Sequence, residues 1–101
     1  MLNKNADVAR KGQEALTTVD RLLQATNSRQ KLNDLQSAIF LQTWVGCSYS
    51  EIAQHLDYEY DYIKQVGSRL WRILSQVLGE PVSKHNIQAV LRRHKTRIKS
   101  N

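Results

Sequence analysis

The chain has one cysteine, one proline and one phenylalanine among its 101 residues, and its apolar stretches are short and broken by charges. Each shortage excludes something. A lone Cys47 cannot close an internal disulfide and has no partner thiol for a metal cluster, which fits a reducing compartment and a packing role for the thiol. No segment is long and apolar enough to span a bilayer, and the polar start MLNKNADVARKG lacks the apolar block of a signal peptide. A cytoplasmic protein is therefore expected, with no membrane partner.

Catalytic signatures are missing too. No nucleophile stands beside a base, no glycine-rich loop could cradle a phosphate, and no paired carboxylates suggest a cleft, so an enzyme is not expected. His55, His85 and His94 are too scattered for a metal site or a catalytic base. Neither a cofactor nor a metal is expected.

What is present is positive charge, unevenly distributed. The net charge is +6: residues 1–50 carry six basic and four acidic side chains, 51–80 three and five, and 81–101 six and none. A basic C-terminal segment suits nucleic acid or an acidic surface, and equally a solvated helix face.

Helical periodicity covers most of the chain. Val8, Ala15, Leu16, Val19, Leu22 and Leu23 recur at three- and four-residue steps and predict a helix over 6–26, weakened early by Gly12. Leu32, Leu35, Ile39, Phe40 and Trp44/Val45 predict a second over 33–45, stopped by Gly46. Ser48 or Ser50 caps a short helix through Ile52, Ala53 and Leu56. After a turn at 57–60, Ile63, Val66, Leu70, Ile73, Leu74 and Val77 mark a longer helix with its stop at Gly79 and Pro81. Ser83 is expected to cap a last, basic helix over 83–99, with Ile87, Val90, Leu91 and Ile98 inward. With no repeats and no convincing strand, the fold class is all-α, with about five helices in a single domain spanning 1–101.

The stretch DYEYDYIKQVGSRLW, from Asp57, admits three readings. As a calcium loop it would need glycine at position six and glutamate at twelve, where Tyr62 and Ser68 stand. As a strand it would have nothing to pair with. As a turn followed by a helix it places Asp57, Glu59 and Asp61 near the positive end of the helix dipole, and this reading is adopted.

Residues 32–78 thus order as helix, glycine stop, short helix, tight turn and long helix, the arrangement of a helix-turn-helix. The residues Leu32, Gly46, Ser48, Glu51-Ile52-Ala53, Leu56, Ile63-Lys64, Leu70 and Leu74 resemble the pattern of sigma-factor region 4 and LuxR-type domains. More closely, YIKQVGSRLW and LGEPVSKHN, within about 15–93, resemble a cyanobacterial module at the N-terminus of signalling proteins with NB-ARC or AAA-type ATPase and von Willebrand-associated parts. The turn departs from the sigma and LuxR pattern, with Asp57-Tyr58-Glu59 where a glycine or small residue is usual. The resemblance implies a DNA-binding-like module.

With Ile63, Val66 and Leu70 inward, the residues Asp61, Tyr62, Lys64, Gln65, Ser68, Arg69 and Arg72 fall outward. Lys64, Gln65, Ser68 and Arg69 are the base-contact candidates, since glutamine pairs with adenine and lysine or arginine with guanine. Ser48, Tyr49, Tyr62, Arg72, Arg92, Arg93, Lys95 and Arg97 are the phosphate-contact candidates. Gly67, in mid-helix, reads as a close helix contact ahead of an approach by DNA, and Trp44 and Trp71 read as core. The expectation is a regulator bound to double-stranded DNA as a homodimer joined through its outer helices. The alternative is a protein-interaction or assembly module of a larger signalling or defence system, favoured by the acidic turn and the tyrosines.

Overall fold

A computed structural model describes the backbone of residues 4–26 and 31–99 and the side chains of 6–26 and 31–94. Five helices form among the described residues: α1 (Lys4–Ala25), α2 (Asp34–Trp44), α3 (Tyr49–Leu56), α4 (Tyr60–Leu78) and α5 (Ile87–Lys99). With no strand among the described residues, the fold is all-α.

Local chemistry sets most boundaries. Asn33 caps α2 in a reciprocal box: its side chain accepts from the Gln36 amide at 2.8 Å, and the Gln36 side chain accepts from the Asn33 amide at 2.9 Å. Gly46 ends that helix with φ +97°, a conformation that a side chain resists, and the Cys47 amide turns back to the Gln42 carbonyl at 2.9 Å. Gly79 closes α4 in the left-handed region. The Ser75 hydroxyl then accepts from the Val82 amide at 2.8 Å and holds the Pro81 turn against α4.

The core gathers Val19 and Leu23 of α1, Ile39 and Phe40 of α2, Ile52 of α3, Ile63, Leu70 and Leu74 of α4, and Val90 of α5. Burying each such side chain contributes roughly 1.5–3 kcal/mol, so helix packing rather than helix propensity holds the fold. α4 is central, packing against α1, α2 and α3.

The structure refines two expectations and corrects a third, the start of the last helix. Val66, Ile73 and Val77 are half-buried at the edge of the inward face, whose centre runs through Ile63, Gly67, Leu70, Trp71, Leu74 and Leu78. Ser83 caps a turn rather than the helix itself: its hydroxyl accepts from the His85 amide, Asn86 returns a bond to the Ser83 amide, and α5 starts at Ile87. Gly12 is a contact, because a Cβ there would lie 3.0 Å from the Trp44 ring. The Ile98 expectation falls outside the described side chains.

Candidate nucleic-acid interface

The short helix α3 begins at a decided position. Ser48, not Ser50, is its N-cap: the Ser48 hydroxyl accepts from the Glu51 amide at 3.1 Å, and the Glu51 carboxylate accepts from the Ser48 amide at 2.8 Å. These bonds, the Ser48 backbone first, hold the Glu51 carboxyl below its ordinary range. The helix end that was to receive a phosphate already carries its own carboxylate. As a phosphate contact Ser48 keeps only its hydroxyl proton to offer. Beside it, burial and the Glu51 charge push the Cys47 thiol up, so it stays protonated at neutral pH, as suits packing.

Tyr49 has a structural task that its sequence position did not reveal. Its phenol oxygen accepts from the Trp71 indole N–H at 2.8 Å, and its ring lies over Gly67, where a Cβ would come within 2.8 Å. Gly67 is thus the close contact that lets α3 and α4 meet. The half-buried Tyr49 ring braces α4 rather than standing free for a phosphate.

The turn between them relies on Asp57 in the left-handed conformation, φ 61° and ψ 50°. Aspartate tolerates this region better than most residues, which is how the chain does without glycine there. The Tyr58 amide reaches back to the Ala53 carbonyl at 3.0 Å and closes the turn. Glu59 occupies the N-cap of α4 but makes no side-chain cap bond, so the acidic stretch serves the helix through charge and not through a hydrogen-bonded cap.

Beyond this turn α4 presents one continuous outer face. Asp61, Tyr62, Lys64, Gln65, Ser68, Arg69 and Arg72 are all exposed, opposite the Ile63, Gly67, Leu70 and Leu74 stripe. The four base-contact candidates and Arg72 share this face. The end of α4 next to the turn is different: Tyr58, Tyr60 and Tyr62 are each nearly half exposed, and Tyr58 and Tyr62 lie ring to ring at 5.5 Å.

The C-terminal phosphate candidates are not assembled there. Arg93 bonds Glu80 at 2.6 Å, just past the far end of α4, and Arg92 lines a cleft of about 390 Å³ with Lys11, Trp44 and Leu91. α5 is anchored on this side by the Gln88 amide, which donates to the Trp44 carbonyl at 2.7 Å. Lys95 and Arg97 lie outside the described side chains.

Short brace, tight turn and exposed long helix make up the geometry of a helix-turn-helix. A family described as vWA-MoxR associated protein N-terminal HTH matches residues 11–94. The chain belongs to that family. No curated protein and no solved structure matches it. In this helix-turn-helix domain one further cation stands by the brace: the Lys84 ammonium lies 5.6 Å from the centre of the Tyr49 ring. Sequence showed Lys84 only as one of six basic residues in a tail, because nothing local links position 84 to position 49. Among the described residues no group of histidines, cysteines or carboxylates could hold a metal, and no helix is long and apolar enough to cross a membrane.

Proposed function

We propose that the domain is a DNA-binding transcriptional regulator that lays α4 in the major groove. The observation that carries this reading is the outer face of α4, where Lys64, Gln65, Ser68, Arg69 and Arg72 are exposed together while the opposite stripe is locked into the core. A rigid helix with donors along one face is what base-edge readout needs. The sigma-factor and LuxR likeness of the sequence supports the same docking mode. In this reading Lys64, Gln65, Ser68 and Arg69 meet bases, Tyr62, Arg72 and Lys84 meet phosphates, and more than one copy is needed, since a single unit makes few contacts. The domain acts in the cytoplasm as the N-terminal module of a larger NB-ARC, AAA or von Willebrand-associated signalling protein, without catalysis of its own.

Magnitudes decide how the acidic turn bears on this. A carboxylate about 8 Å from a phosphate is repelled by roughly 0.5 kcal/mol in water before salt screens it. Asp57, Glu59 and Asp61 together would therefore offset about one good cation contact and leave a net attraction.

A second reading, a protein-interaction module, is favoured by the same turn, where three tyrosines stand exposed among three acids. Titration of random and genomic duplexes at two salt concentrations separates the readings. DNA contact predicts binding whose logarithmic salt slope falls by about one unit with Arg72→Ala or Lys84→Ala, whereas Lys64→Ala or Arg69→Ala weakens binding and relaxes its sequence preference. No binding at low salt would exclude it.

A further inference from the structure

The tyrosine and acid patch at the start of α4 is only partly covered by its own chain. Tyr58, Tyr60 and Tyr62 are 45–47% exposed. Asp57, Glu59 and Asp61 beside them are also exposed, and none of the three is in an ion pair with a described residue. The chain carries the complement of this patch: residues 81–101 hold six basic side chains and no acidic one.

Within that segment Arg93 is held away from the patch. Glu80, bonded to Arg93, follows α4, while the patch lies at the other end of its 19 residues, about 28 Å away along the axis. Beyond Arg93 only six residues of α5 remain, about 9 Å of helix.

We infer that the patch is a docking surface for the basic C-terminal helix of a second copy of this chain. Cationic side chains would pair with Glu59 and Asp61 and lie against the tyrosine faces, where the ring quadrupole attracts them. A two-fold arrangement lets each tail cover the other's patch and closes the assembly at two copies. Such pairing also removes the carboxylate charge beside the outer face of α4, yet it stands without any DNA.

The test is a charge swap read by solution mass at low and high salt. The wild-type chain is expected to dimerise at low salt and to dissociate in about 0.5 M salt, where screening shortens to a few ångströms. Glu59→Lys with Asp61→Lys, which leaves the left-handed Asp57 in place, should weaken self-association about tenfold or more. So should Lys95→Glu with Arg97→Glu and Lys99→Glu. Circular dichroism on each variant checks that its helix content is kept. Mixing the two variants makes both contacts complementary again, and a heterodimer should form. A wild-type chain that stays monomeric at low salt at every concentration, or folded variants that self-associate as before, would overturn the inference. A mixture that fails to pair would overturn it too, whereas DNA binding itself is read separately by duplex titration.

Discussion

The two faces of α4 differ in what holds their residues. On the inner face Ile63, Leu70 and Leu74 are fully buried, and Gly67 and Trp71 are fixed against Tyr49. On the outer face Lys64, Gln65, Ser68, Arg69 and Arg72 meet solvent. The inner face thus sets the rotation of the helix, and the outer face is left to solvent. Substitutions should separate the two cleanly, with stability lost from one side and binding from the other.

The largest effect is expected at Leu70→Ala, which leaves a cavity where α4 meets its neighbours. A loss of about 2–5 kcal/mol is expected in urea unfolding. A smaller loss, about 1–2 kcal/mol, should follow Tyr49→Phe, because the buried Trp71 indole N–H is left without its acceptor. Gly67→Ala should act through the same contact. Its methyl would displace the Tyr49 ring, and that overpacking should exceed the roughly 1 kcal/mol alanine gains in helix propensity.

The outer face should behave in the opposite way. Arg69→Ala should change stability by no more than about 0.5 kcal/mol and weaken duplex binding several-fold to about tenfold. A variant that unfolds the domain would break the comparison. Neutralising one turn acid with Asp57→Asn, which keeps the left-handed conformation, should sharpen it, strengthening duplex binding about twofold at low salt as repulsion is removed. The gain should shrink at high salt.

The smallest effect concerns pH. Because the Glu51 carboxyl sits below its ordinary value of 4.5 in the folded chain, its contribution is fully present above that value and is lost as pH falls through the lower folded value. Glu51→Gln keeps a capping partner that cannot titrate. Unfolding curves of the two proteins should therefore draw together only below about pH 4.5.

Sequence revealed the helices through periodicity and stop residues, and the limits of α2 and α4 at Gly46 and Gly79 follow from those signals. It also separated the exposed from the buried side of α4, since Ile63 and Leu70 fix the rotation. Long-range contacts were not legible. Nothing near Tyr49 in the chain points to Trp71, and nothing near Arg93 points to Glu80, so the brace and the ion pair that these two phosphate candidates make were not foreseen. The start of α5 was misread because Ser83 and Asn86 form a cap-like exchange around a turn, a local signal that looks the same before a helix.

Amide chemical shifts of the folded domain, followed as duplex DNA is added at low salt, test the central claim most directly. Recognition through the outer face predicts shifts concentrated at Asp61, Tyr62, Lys64, Gln65, Ser68, Arg69 and Arg72, with weaker ones at Ser48 and Lys84. Shifts confined to α1 and α5, or none at all, would contradict it.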